Sequence, residues 1–156
     1  MPREFEAQEQ VFNTLIEVRK IAGILGMATE VAALAANDKS GLGKRDEADQ
    51  AAVDAMRKFL NGLHIRGVIE VGEGVKDKAP MLFIGEKVGM GNGPELSIAL
   101  DPIDGTNATA GLKHGAISVL AASEKGGILR LPNDLHYVDK LITGPQARGL
   151  VNINTP

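Results

Sequence analysis

From Val11 the apolar positions Val11, Leu15, Val18, Ala22 and Leu25 recur at the three-to-four-residue spacing of a helical face. The spacing predicts a long helix running through Val31 and Leu34 to about Ala36, with Gly23 and Gly26 as points where it can bend or split. Residues 1–10 are polar and read as an extension ahead of it. Asn37 to Lys44 reads as a loop, with flexibility from Gly41 and Gly43. A second helix is expected from near Asp46, with Ala52, Ala55, Met56, Phe59 and Leu63 on one face and Lys58 and Asn61 off it. After Gly67 the pattern shortens to β-type runs: Val68 to Val71, Met81 to Val88, Leu96 to Leu100 and Ala116 to Ala121, then the weaker Ile128 to Leu131 and Val138 to Ile142. Gly72-Glu73-Gly74 separates the first two runs, and Gly89 to Pro94 has the Gly and Asn content of a hairpin connection. Helices first and strands second predict an α+β fold in which N-terminal helices pack on a mainly antiparallel sheet.

The 156 residues suit one domain, and 44% hydrophobic with 24% charged residues is ordinary for a globular chain. Aromatics reach only 3%, so the core must be built from Ala, Val, Ile, Leu and Met. A formal charge of −3 gives no electrostatic footprint for nucleic acid. With no cysteine there is no disulfide framework, thiol nucleophile or thiolate metal site. Met1-Pro2-Arg3-Glu4-Phe5-Glu6 lacks the apolar core of a signal peptide, and no apolar run approaches the ~18 residues of a membrane span. The cytoplasm is therefore the expected compartment, an organelle after processing the other option, and no membrane partner is expected.

Candidate chemistry centres on Asp101-Pro102-Ile103-Asp104-Gly105-Thr106-Asn107, directly after the apolar run Leu96 to Leu100. Two carboxylates three positions apart, leaving a strand end, can point into one small volume, and that suits a hard cation such as Mg²⁺ or Mn²⁺. Pro102 stiffens the exit from the sheet, Gly105 lets the backbone approach a ligand, and Thr106 offers a hydroxyl. A polar turn closing a strand is the plain alternative. Three other positions stay two-sided on the same grounds. Asp49, in the first turn of the second helix, is a metal ligand or, echoing a capping Asp46, a complement to the positive helix end. Glu73 is a ligand or a hairpin tip, and Thr106 is a catalytic hydroxyl or a helix cap. His64, His114 and His136 show no mutual ligand spacing and read as surface or structural residues, while Glu86 and Lys87 read as an exposed strand pair.

The Asp101 to Asn107 stretch resembles the metal-binding signature of the Mg²⁺-dependent, lithium-sensitive sugar and inositol phosphatase superfamily. Val71-Gly72-Glu73-Gly74, Ala79-Pro80-Met81-Leu82 and Ile84-Gly85-Glu86-Lys87-Val88-Gly89 narrow the resemblance to class II fructose-1,6-bisphosphatases. It runs from about Ala28 to the end of the chain and covers the N-terminal half of the family's usual length. It implies the first half of the layered sugar-phosphatase fold, with residues 1–27 as an extension and helix start, 28–148 as the metal-binding domain and 149–156 as a junction to a further domain. The implied activity is hydrolysis of the 1-phosphate of fructose 1,6-bisphosphate, with sedoheptulose 1,7-bisphosphate as the close alternative, by in-line attack of metal-bound water between two cations. By resemblance Asp49, Glu73, Asp101, Asp104 and the Ile103 carbonyl hold metal, Thr106 with Asp49 or Glu73 handles the attacking water, and Gly105, Thr106, Asn107 and Tyr137 contact substrate. Lys44-Arg45 stands where the family commonly carries Asp-Lys, which changes the charge order of the loop before Asp49. Another acidic ligand and much of the sugar pocket belong to the family's other half. The terminal apolar residues Leu150, Val151 and Ile153 are accordingly expected to be covered by self-association or by a partner. The competing function is a truncated paralogue, weak or inactive as a catalyst, serving as a structural or interaction subunit.

Overall fold

A computed structural model describes residues 2–73, 81–129 and 139–154, with side chains from residue 18 onward. Helix α1 spans Pro2–Asn37 and α2 spans Arg45–Asn61. Strands β1 (Arg66–Val71), β2 (Lys87–Val88), β3 (Glu95–Asp104) and β4 (Ile117–Glu124) follow, with the short helix α3 (Thr106–Ala110) between β3 and β4 and a 3-10 turn at Pro145–Ala147. The strands form one sheet in the order β2-β1-β3-β4. Its two outer pairings are antiparallel, while the central pair β1 and β3 is parallel. This is the α+β arrangement read from the sequence, with one parallel pairing that the run of short strands did not announce.

The helices cover one face of the sheet. Ile69, Leu96, Ile98 and Leu100 from the strands join Leu25, Ala28, Ala32 and Ala36 of α1 and Ala52, Val53, Met56 and Leu60 of α2 in a single core. Alanine at every fourth position of α1 lets the two helices approach closely. Of the face expected by counting large residues, Leu25 is buried, whereas Val18 and Leu34 are 56% and 67% exposed and the rest of the stripe is carried by alanine. Helix α1 begins at Pro2, so residues 2–10 are helical. Their Glu, Ala and Gln content carries helix propensity without hydrophobic periodicity. Neither Gly23 nor Gly26 interrupts the helix.

At the start of α2 the N-cap position is held by Lys44, without a side-chain cap, and Asp46 and Glu47 occupy the first turn. Asp46 is therefore not the cap. Asp49 lies just past that turn. Negative charge in the first turn complements the helix dipole, and Lys44 Nζ also donates to Glu47 Oε1 at 2.7 Å. That hydrogen bond is the main cause holding the Glu47 carboxyl below its ordinary value of 4.5.

The run expected over Met81 to Val88 forms ladder only at Lys87–Val88. Leu82 (φ 54) and Gly85 (φ 92) bend the backbone into the left-handed region, which breaks an extended strand. The segment instead clips onto β1: Gly85 N–H donates to Ile69 O at 2.7 Å and Ile69 N–H to Glu86 O at 2.9 Å. Gly89 to Pro94 is not a hairpin, because β2 and β3 lie on opposite sides of β1. It carries the chain past the end of β1, where a Cβ on Gly93 would sit 2.0 Å from His64 O. Ile128, Leu129 and Asp139 to Ile142 are not strands, and the remaining residues of those two runs lie outside the described residues. Among the described residues no helix is long and apolar enough to cross a membrane.

Candidate functional site

The site is set up by an irregularity in the β3–β4 ladder. Asp101 pairs with Val119 and Asp104 with Ile117, so Pro102 and Ile103 stand against the single residue Ser118. An extra residue of this kind is a β-bulge, and it reverses the alternation of faces beyond it. Val119 and Ile117 are two apart and share a face of β4, so Asp101 and Asp104 opposite them share that face too. Leu96, Ile98 and Leu100 point to the helical core, which puts Asp101 on the face away from the helices. Asp101 Oδ1 accepts the Ile103 N–H at 3.1 Å and holds the bulge in shape. Pro102 and Ile103 are buried, Asp101 is half-buried and Asp104 is exposed.

Glu73 reaches the same end of the sheet by a different route. The parallel register pairs Val71 with Ala99. Glu73 and Asp101 each follow their registered residue by two, so both chains leave the parallel pair at one edge. Gly72 is required there, because a Cβ at that position would lie 2.2 Å from Leu82 O. Glu73 is half-buried. It does not form the tip of a tight hairpin, since β1 ends at Val71 and β2 starts at Lys87.

Behind Asp104, Gly105 adopts φ 91 and N-caps α3. A Cβ on it would be 3.0 Å from Ala116 Cα, so both conformation and space favour glycine. Thr106 is consequently the first residue of α3 and not its cap. The loop before α2 is tied to the same small helix, with Gly41 N–H donating to Thr109 O at 3.1 Å and Gly43 N–H to Ala110 O at 2.9 Å. Through those bonds the start of α2, which carries half-buried Asp49, is fixed relative to Thr106. Asn107 is exposed on α3.

The described residues thus bring Asp101 and Asp104 onto one face and Glu73 to the same sheet edge. Among them, no three Asp, Glu or His side chains are drawn closely enough together to hold a metal ion. Tyr137 lies outside the described residues, as does His136. His64 Nδ1 pairs with Asn92 Oδ1 at 3.1 Å, a structural contact. Glu86 is the residue that sequence reasoning misplaced. It is 6% exposed, and its Oε1 lies 2.5 Å from Arg57 Nε across the α2–β2 junction. The left-handed turn at Gly85 rotates it inward. Arg57 was available as a signal, being the basic residue beside the apolar face of α2.

The family model described as bacterial fructose-1,6-bisphosphatase, glpX-encoded, matches residues 19–156. The chain is 49% identical over 124 residues to a D-fructose 1,6-bisphosphatase class 2/sedoheptulose 1,7-bisphosphatase of Prochlorococcus marinus (strain MIT 9303), covering 80% of this chain and 36% of that protein. It is 50% identical to the protein of the same name from Synechococcus sp. (strain CC9902), with the same two shares. The matched stretch is therefore little more than a third of the length of these relatives.

Proposed function

We propose, from the premise that this chain belongs to the glpX-encoded bacterial fructose-1,6-bisphosphatase family, that it provides the metal- and phosphate-handling part of a sugar bisphosphatase. The reaction is hydrolysis of the 1-phosphate of fructose 1,6-bisphosphate, with sedoheptulose 1,7-bisphosphate as a second substrate. The observation that carries this reading is the bulge that turns Asp101 and Asp104 to one face immediately before Gly105 and Thr106.

The donor set is all oxygen, and it fits Mg²⁺ or Mn²⁺ better than a softer ion. Asp101 and Asp104, turned to one face, would hold the cation, and Asp49, Glu73 and the Ile103 carbonyl would be drawn in around it. Bound there, the cation supplies charge to offset that of the phosphate and acidifies water. The chain's own residues do the rest. Thr106 Oγ1 orients the attacking water, and the carboxylate of Glu73 or Asp49 takes up its proton. Gly105, Thr106 and Asn107 line the approach of the cleaved phosphate. Tyr137 contacts the sugar. Residues 28–148 act as the metal-binding domain and 149–156 as a junction.

Self-association or a partner belongs to the same proposal, because Ile24, Met27 and Leu34 on α1 and Ile117 and Val119 on β4 leave large apolar side chains 42–67% exposed. The activity is tested by phosphate release from both bisphosphates with and without Mn²⁺ or Mg²⁺. Release that requires the cation and falls by at least ~100-fold in Asp104→Asn is expected. Release independent of added metal in a chelated sample, or undiminished in the variant, overturns the assignment.

A further inference from the structure

Asp49 and Glu73 come to the acidic edge from different elements, and one stretch of chain ties those elements together. Asp49 lies on α2, about two turns before Arg57. Glu73 follows Gly72, whose backbone packs so closely on the Leu82 carbonyl that a Cβ there would sit 2.2 Å from its oxygen. From Leu82 the chain runs on to Glu86 and is bonded to β1, through Gly85 N–H to Ile69 O at 2.7 Å and Ile69 N–H to Glu86 O at 2.9 Å. The exit of Glu73 from the sheet therefore rests against residues 82–86.

The same residues are tied to α2 by the pair of Arg57 Nε and Glu86 Oε1, 2.5 Å apart. One turn further along the helix, Asn61 Oδ1 accepts from Gly89 N–H at 3.2 Å. Otherwise α2 and this segment share the apolar core, through Val53, Met56 and Leu60 on one side and Leu82 and Val88 on the other. Apolar packing is non-directional, whereas a charge-assisted hydrogen bond holds one geometry. Polar bonds at two points along α2 fix both its shift and its rotation.

The ion pair itself is poorly built for stability. Glu86 is 6% exposed, and its Oε2 is buried with no partner among the described residues. A buried carboxylate held through one oxygen has lost hydration that a single contact does not return. We propose that Arg57 and Glu86 are positioning residues for the candidate cation site, their contact setting where Asp49 stands relative to Glu73. The inference rests on the reading of those two carboxylates as cation ligands, and neither Arg57 nor Glu86 touches the cation. Coupling of this kind is reciprocal, so a contact that places the ligands is itself disturbed when they close on a cation.

The test uses the whole chain. Urea denaturation gives stability and calorimetric titration with Mg²⁺ gives affinity, for the parent, Arg57→Leu/Glu86→Leu, Glu86→Gln and Asp104→Asn. The double replacement should keep most of the parent's stability, since it removes both charges, yet bind Mg²⁺ at least ~10-fold more weakly. Glu86→Gln, which keeps an acceptor for Arg57 Nε–H, should bind as the parent does. NMR of the ¹⁵N-labelled parent needs no variant to fold: the Gly85 and Glu86 amide and Arg57 Nε–H signals should follow Mg²⁺ with the same dissociation constant as Asp104. A stable double variant with parent affinity, an equal loss in Glu86→Gln, or Arg57 and Glu86 signals that ignore the titration while Asp104 responds would each overturn the positioning role and leave the cation site standing. A parent chain in which Mg²⁺ moves neither Asp101 nor Asp104 removes the cation site and this inference with it.

Discussion

Asp101 and Asp104 face the same way because β3 carries one residue more than β4 between them, Pro102 and Ile103 standing against Ser118 alone. In a regular strand, residues three apart point to opposite faces. Pro102 suits the extra position, since it has no N–H to contribute to a ladder. The two carboxylates share a face only while the bulge lasts, and the Ile103 N–H to Asp101 Oδ1 bond at 3.1 Å helps it last.

Cation binding at this pair is expected to raise the melting temperature by mass action, by about 5–10 °C at a hundredfold excess over the dissociation constant. Asp101→Asn and Asp104→Asn should each flatten that response. Differential scanning fluorimetry across a Mn²⁺ or Mg²⁺ series checks it. An unchanged melt in the parent chain, or an undiminished rise in both variants, counts against the site.

Two glycines hold the acidic edge in place for different reasons. Gly105→Ala forces a side chain into φ 91 and toward Ala116, at a cost of about 1–2 kcal/mol. Gly72→Ala meets the Leu82 carbonyl at 2.2 Å, and backbone must move, with a loss of about 1–3 kcal/mol. Urea denaturation should show both losses, and Gly105→Ala should also lower metal-dependent phosphate release because Asp104 and Thr106 flank the strained residue. Parent-like stability in both variants would show that these approaches are not tight.

What could be read from the sequence divides along physical lines. The second helix and the strands at β1, β3 and β4 were legible because their apolar positions alternate or recur with large side chains. The stripe of α1 was misread because its core is Ala28, Ala32 and Ala36, residues that give weak hydrophobic signal yet pack most closely. The bulge was not legible at all, since it depends on the count of residues in β4 across the ladder. Glu86 looked exposed by strand alternation, and it is buried because Leu82 and Gly85 take the chain out of strand geometry first. The candidate ligands Asp101 and Asp104 were found from residue type and order, while their common face came from tertiary pairing.

Glu86 and Arg57 form a half-buried ion pair, with Glu86 6% and Arg57 40% exposed at the side chain. Arg57→Leu strands a buried carboxylate, and stability should fall by about 2–3 kcal/mol, less than for a fully buried pair because Arg57 is screened by water. Replacing both, as Arg57→Leu with Glu86→Leu, should recover much of that loss. Chemical denaturation of the parent chain and the two variants checks the order. A double variant no more stable than Arg57→Leu alone overturns the desolvation account.

Glu47 gives a pH signature at the start of α2. Its carboxyl is held below the ordinary value of 4.5, chiefly by the hydrogen bond from Lys44. A carboxylate depressed in the folded state contributes its stabilisation above the unfolded value and loses it as pH falls through the folded one. Lys44→Ala should move the Glu47 titration upward, toward 4.5, in a side-chain carboxyl NMR titration. An unmoved titration shows that another cause dominates.

The exposed side of α1 yields the last prediction. Ile24, Met27 and Leu34 are 45%, 47% and 67% exposed. At 100° per residue they fall on one side of the helix, with Met27 and Leu34 nearly opposite the stripe formed by Leu25, Ala28, Ala32 and Ala36. The helix therefore carries large apolar side chains away from the face that packs in the core, and these meet solvent. Each of the three side chains gains about 1 kcal/mol or more on burial against another surface. The chain should accordingly associate in solution, with light scattering giving at least twice the monomer mass. Met27→Glu with Leu34→Glu should shift the population to monomer without lowering the melting temperature of the fold, because neither side chain belongs to the core. A parent chain that stays monomeric at ~100 μM, a concentration at which even a weak ~10 μM dissociation constant leaves most of it associated, would remove the case for this face as an interface.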